Sequence, residues 1–160
     1  MRLHGDRWPK QPQLGTTGGA ECRSGAANEV WSFSEAAYEI CRRYLTIREK
    51  MKPYIQETMR EAHEKGTPVI RPLFYGFPDD EQSWRSEAEY LFGGDLLVAP
   101  VMYENQRVRD VYLPEGTGWT DVWTGERAEG GQVVSVDAPL ERIPLFVREG
   151  STFGRDSFRA

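Results

Sequence analysis

Cysteine and histidine are nearly absent from this chain. Its 160 residues hold only Cys22 and Cys41, His4 and His63. Two thiols make no disulfide framework, and no pair of these side chains has the spacing of a metal site. Both cysteines therefore read as free thiols in a reducing setting, which points to the cytoplasm. Lys and Arg form no block and the net charge is −5, so neither nucleic acid nor an anionic membrane surface is an expected partner. No stretch approaches the roughly 20 apolar residues of a transmembrane helix. The opening residues are polar and charged, and no signal peptide is visible in them. No glycine-rich phosphate loop opens a helix after a strand, and no Gly-x-Ser-x-Gly elbow occurs. The chain thus calls for no cofactor and no metal. Internal repeats and low-complexity tracts are missing too.

What remains is an ordinary globular composition, long enough for one domain or two small ones. Residues 6 to 30 are rich in Gly, Pro, Gln and Ser without periodicity and read as a long loop. Ser32 with Glu35 fits a capping box. Ala36, Ile40, Tyr44, Ile47, Met51, Tyr54, Ile55, Met59 and Ala62 then recur at helical spacing. Pro53, without a backbone donor, should kink that helix or divide it in two. Gly66 should stop it, with Pro68 just beyond.

After Gly66 the period changes. Val69 and Ile70 with Leu73 to Tyr75 read as a strand, and Glu81 to Leu91 as a short helix. Asp95 to Val101 reads as a strand buried on both faces. Further strands are expected over Arg107–Leu113, around Trp119–Trp123, over Val133–Val136 and over Ile143–Val147. Gly116–Gly118, Gly125 and Gly130–Gly131 punctuate them. Short strands with this punctuation suggest a β-sandwich. The tail from Thr152 shows no pattern and is expected to fray.

Five segments carry more than this. They are Arg2-Leu3-His4-Gly5-Asp6, Asn28-Glu29-Val30-Trp31-Ser32-Phe33, Arg71-Pro72-Leu73, Gly94-Asp95-Leu96-Leu97-Val98-Ala99-Pro100-Val101 and Ile143-Pro144-Leu145-Phe146-Val147-Arg148-Glu149-Gly150-Ser151. In that order, over nearly the whole chain, they resemble the C-terminal part of glycoside hydrolase family 31, the α-glucosidases and α-xylosidases. The resemblance implies an α+β chain: the last strand-loop-helix portion of a (β/α)8 barrel, then an antiparallel β-sandwich. Residues 1–66 would close the barrel, with residues 1–5 ending its last strand. Residues 67–149 would form the proximal C-terminal sandwich, and 150–160 a tail.

The implied activity is retaining hydrolysis of terminal α-linked glucose or xylose, with a carbohydrate as the partner of the full-length protein. A barrel places its chemistry at the C-terminal ends of its strands. There the resemblance puts His4, against a hydroxyl of the sugar whose bond is cleaved. A neutral imidazole both donates and accepts, which suits a hydroxyl. Arg2 either binds substrate or pairs with a carboxylate such as Glu29 to hold the loop, which Asp6 and Arg7 continue. Trp31 is either an anchor for that loop or a stacking platform for a sugar. Retaining glycosidases need two carboxylates, yet no carboxylate here lies in a segment matching the family's catalytic motifs, which sit upstream. Asp79-Asp80 reads as a turn and Asp95 as a turn or strand-edge residue. No catalytic residue is therefore expected in this chain. Ahead of Tyr90-Leu91-Phe92 the chain has Glu87-Ala88-Glu89 where many members have an aspartate, which puts a local packing contact in question. The rival reading is a non-catalytic β-sandwich module, carbohydrate-binding or structural; a lyase acting on α-glucans is a third.

Overall fold

The computed structural model describes residues 30–32, 34–151 and 153–158. The strand end expected over residues 1–5, and all but the last residue of the loop expected over 6–30, lie outside the described residues. The chain divides into two compact units, Met1–Thr46 and Ile47–Ala160.

In the first unit a 3-10 helix (Val30–Ser32) precedes α1 (Glu35–Lys50), which continues across the division. The cap of α1 is Ser34, whose Oγ accepts the N–H of Ala37 at 3.1 Å. This replaces the expected box of Ser32 and Glu35: the helix starts at Glu35, which places that carboxylate in the first turn, where it favours the helix dipole. Exposed Glu39 and Arg42 pair at 2.7 Å.

In the second unit the division expected from Pro53 occurs. α1 ends at Lys50, and α2 (Lys52–Lys65) begins after Met51. Pro53 sits in the first turn of α2, where its missing donor costs least. Gly66 ends the helix at φ 70°, its N–H bonded to Ala62 O at 3.0 Å. Tyr54, Thr58 and Glu61 share one face of α2, and this face meets the strands that follow.

Those strands form a six-stranded antiparallel sheet in the order β1-β2-β3-β8-β5-β6 and a two-stranded ribbon, β4–β7. They are β1 (Ile70–Pro72), β2 (Tyr90–Phe92), β3 (Leu96–Val98), β4 (Val108–Leu113), β5 (Gly118–Asp121), β6 (Arg127–Glu129), β7 (Gln132–Asp137) and β8 (Leu145–Arg148). Register aligns Leu91, Leu97 and Phe146 in one row across β2, β3 and β8. Val111 and Leu113 of β4 join that row in the core, together with Trp119, Leu73 and Phe77; Val134 and Val136 of β7 pack beside them. Two β-layers with a shared apolar interior and few helices are compatible with a β-sandwich. Trp119 is buried, and its indole N–H donates to Pro114 O at 3.0 Å. All three residues of β3 are buried, as a strand covered on both faces requires, but the strand is shorter than the expected Asp95–Val101: Asp95 lies in the preceding turn and Val101 is exposed.

Glu89 ties the ribbon to β2. Its carboxylate accepts the N–H of Tyr112 at 3.2 Å and lies 3.8 Å from the guanidinium of Arg109. Burial pushes this carboxyl above the usual value, against the pull of the Tyr112 N–H and Arg109. The contact put in question by Glu87-Ala88-Glu89 is thus a carboxylate clasp made by Glu89.

The structure corrects three other expectations. Leu73 to Tyr75 belong to a short helix, α3 (Leu73–Gly76), not a strand. Pro72 offers no ladder donor, and Leu73 and Phe77, four apart, are both buried on one side. Between Glu81 and Leu91 only Glu81–Trp84 is helical, as a 3-10 turn. The tail does not fray over its described part: Phe153 and Phe158 are buried, and a 3-10 helix spans Arg155–Phe158. Phe153 stacks on Tyr54 at 4.5 Å and meets Phe158 edge-on. Arg155 donates to Val122 O and Trp123 O at 2.9 and 2.8 Å. The edge strand β6 was not expected.

Two glycines at left-handed φ separate strain from crowding. At Gly66 a Cβ would meet nothing, whereas at Gly93 (φ +67°) it would press on Tyr54 Oη and on Thr58 Cγ2 at 2.6 Å. Gly66→Ala should cost about 1 kcal/mol and Gly93→Ala more than about 3 kcal/mol, read from denaturant unfolding. Equal losses would show that the approach of α2 to the β2–β3 turn is not tight.

Candidate functional site

Three of the five motif segments converge in the second unit. Arg71 is in β1, Gly94-Asp95 turns from β2 into β3, and Ile143–Ser151 contains β8. The buried Arg71 guanidinium donates to Pro68 O at 2.6 Å and to Glu61 of α2 at 2.8 Å. Tyr54 of α2 donates its hydroxyl proton to Phe92 O at 2.7 Å and accepts the Asp95 N–H at 3.2 Å. Asp95 Oδ2 accepts the Ser151 hydroxyl at 2.9 Å, and Ser151 Oγ accepts the Phe153 N–H at 3.0 Å. Asp95 O also accepts the Arg148 N–H. Helix, sheet and tail are joined here through side chains that point at backbone. Burial pushes the Tyr54 hydroxyl up to about 12, against the pull of the Asp95 N–H; the Asp95 charge adds to the rise and Arg71 opposes it. The phenol therefore stays neutral and keeps its proton, donated to Phe92 O.

The acidic residues that resemble a catalytic pair are structural. Asp79 lies in a turn. Asp80 caps the Glu81–Trp84 turn through the N–H groups of Gln82 and Ser83. Its two oxygens also accept the hydroxyls of Ser83 and Tyr112 (2.8–3.0 Å) and the N–H of Glu115 at 3.0 Å. Burial raises the Asp80 carboxyl, but the bonds from Glu115, Tyr112 and Ser83 outweigh it and hold the group below its usual value. A carboxylate so committed is neither a free nucleophile nor a proton donor. Asp95 is engaged with Ser151. The expectation that these residues belong to turns agrees with their places in the fold.

His4, Arg2, Asp6 and Arg7 lie outside the described residues, as does Glu29. Trp31 is 70% exposed. Beside the acidic turn is an open cleft of about 470 Å³, lined by Phe77, Asp79, Asp80, Glu115, Gly116 and Arg148 among others. Among the described residues no group of three His, Cys, Asp or Glu side chains could hold a metal ion, and no helix is long and apolar enough to cross a membrane. Sequence reasoning missed Tyr54 as the joint, counting it only as one apolar position of the helix. The signal was there in Tyr54, Thr58 and Glu61 on one helical face, opposite a Gly93-Gly94 pair.

Comparison with known proteins gives this geometry a family context. Residues 66–153 match the model for the glycosyl hydrolase family 31 C-terminal domain. The chain is similar to "Alpha-glucosidase 2" of Bacillus thermoamyloliquefaciens, 42% identical over 123 residues, which is 77% of this chain and 16% of that protein. It is similar to an "Alpha-xylosidase" of Saccharolobus solfataricus, 33% identical over 151 residues, or 94% of this chain and 18% of that one. Among solved structures, a family 31 α-xylosidase from a soil metagenome, complexed with xylose, superposes with a TM-score of 0.83 at 46% identity, covering 98% of this chain and 23% of that one. The chain thus spans less than a quarter of the length of these relatives.

Tyr54→Phe removes a donor to Phe92 O and an acceptor for Asp95 N–H, and should destabilise the chain by about 1–3 kcal/mol. The pH dependence has a definite sign. The folded-state value of about 12 lies above the ordinary 10.0. The native state therefore holds the proton more tightly, and this stabilisation is complete below pH 10 and declines as pH rises toward 12. Tyr112, raised in the same direction by burial and by Asp80, adds to the same decline. Thermal unfolding between neutral pH and about pH 11 should show a shallower decline in Tyr54→Phe than in the unmodified chain. Parallel curves would remove Tyr54 from the joint.

Proposed function

We propose, since the chain belongs to glycosyl hydrolase family 31, that it is the C-terminal portion of a retaining α-glycosidase acting on terminal α-linked glucose or xylose. Residues 1–66 close the catalytic barrel and 67–149 form the sandwich that braces it. The observation that carries this reading is the match of residues 66–153 to the family's C-terminal domain, within relatives several times longer. That match favours a glycosidase over a free-standing binding module. An α-glucosidase and an α-xylosidase both share this portion, so the choice of sugar rests with segments elsewhere in the protein.

In this reading the second unit supplies rigidity, not chemistry. The nucleophile and the acid/base come from barrel strands upstream, and the Tyr54–Asp95–Ser151 joint fixes the last barrel helix to the sandwich. A displacement of about 1 Å at a substrate-positioning group is enough to cost a large factor in rate, which gives the brace its value. His4, from the last barrel strand, donates to or accepts from a hydroxyl of the cleaved sugar, and Arg2 stands beside it. Such bonds strengthen as the ring flattens toward its oxocarbenium-like state.

Two measurements test this. The purified chain should not hydrolyse nitrophenyl α-glucosides or α-xylosides. Turnover abolished by Asp79→Asn or Asp95→Asn would overturn the reading. In the full-length protein, His4→Ala should lower kcat more than it raises KM, by about 1–3 kcal/mol or roughly tenfold to a hundredfold in rate. His63→Ala, at the exposed end of α2, should leave the kinetics nearly unchanged. Equal losses in both variants, or wild-type turnover in the first, would reduce the opening segment to scaffold.

A further inference from the structure

We propose that the cleft beside the acidic turn is a binding site for a neutral, hydroxyl-rich ligand of one or two sugar rings. Its cation is Arg148. The guanidinium lies over the Phe77 ring, 5.0 Å from its centroid, and among the described residues no carboxylate forms an ion pair with it. A guanidinium held over an aromatic face still has N–H groups to offer to acceptors. Of the three carboxylates on the cleft wall, Asp80 is fully committed to Gln82, Ser83, Tyr112 and Glu115. Asp79 and Glu115 are exposed at the rim. Gly116 is exposed on the lining, where a Cβ would meet nothing within 4 Å.

The charge balance narrows the ligand. Three carboxylates against one guanidinium repel an anion. A divalent cation needs several oxygen ligands at once, but both oxygens of Asp80 are occupied and no group of three acidic side chains could gather around a metal. A ligand with donors and acceptors on adjacent atoms fits what remains. Its hydroxyls donate to Asp79 and Glu115 and accept from Arg148. The volume of about 470 Å³ falls within the roughly 300–1,000 Å³ of small-molecule sites. This site is independent of the barrel chemistry proposed above, because every group it uses lies between Phe77 and Arg148.

The test uses the whole chain and NMR titration with isomaltose, a disaccharide. Saturable shifts are expected at the amides of Gly76, Gly116 and Arg148, with an affinity of about 1–10 mM. The double variant Asp79→Asn/Glu115→Gln, its fold checked by circular dichroism, should bind about fivefold or more weakly. A second measurement needs no variant: methyl α-glucoside should bind at least about fivefold more tightly than methyl α-glucuronide, which differs by one carboxylate. Shifts that are absent, or confined to another surface such as exposed Trp84, would overturn the proposal. So would equal binding of the two glycosides, or unchanged affinity in the folded double variant. None of these outcomes bears on hydrolysis by the full-length protein, which is read from turnover.

Discussion

The hydroxyl of Tyr54 is the contact on which the second unit turns. It donates to Phe92 O and accepts from Asp95 N–H, so one side chain satisfies two backbone groups at the mouth of the β2–β3 turn. Leaving a backbone group unpaired under a helix would cost more than the bond itself gains. The arrangement works only because Gly93 has no side chain where α2 comes closest. Around it the joint spreads in both directions: Arg71 reaches back to Glu61, and Ser151 with Phe153 draws the tail over the tyrosine ring.

The interior follows a different logic. Phe77, Trp119, Leu97 and Phe146 fill the space between sheet and ribbon, and the ribbon shares no ladder with the sheet. What orients it is polar: Glu89 on the Tyr112 N–H, and Asp80 on the Tyr112 hydroxyl. One residue, Tyr112, thus presents both ends of itself to carboxylates. Non-directional burial supplies cohesion here, and the two carboxylates fix the angle.

Much of this architecture can be read from residues whose effect is local. Pro53 lacks a donor whatever surrounds it, and Gly66 adopts a left-handed φ that other residues resist. The buried run at Leu96–Val98 needs no partner to be recognised. The misreadings share a cause. Leu73-Phe74-Tyr75 is apolar and too short for its period to separate helix from strand. Arg127-Ala128-Glu129 becomes a strand only because β5 lies beside it. Phe153 and Phe158 carry no pattern, and their burial comes from Tyr54 and Trp123, distant in sequence. The sugar-contact assignment of His4 and Arg2 came from family resemblance alone and lies outside the described residues. The joint was visible as motifs that marked the family, without a role for each; their described members serve attachment.

The strand order has a consequence for how the chain comes into being. Strands β1, β2 and β3 are neighbours in sequence and can pair as soon as they emerge. The centre of the sheet, however, is β8, wedged between β3 and β5, with Leu97 opposite Phe146 and Asp121 on its other side. Until residue 148 has left the ribosome, β3 and β5 each present an open apolar edge, and Leu97 has no lid. Such long-range closure is slow and leaves edges exposed while it waits. A messenger cut short between β7 and β8 would therefore yield a sticky half-sheet, and a translational pause in that interval would lengthen the window in which a chaperone must hold it.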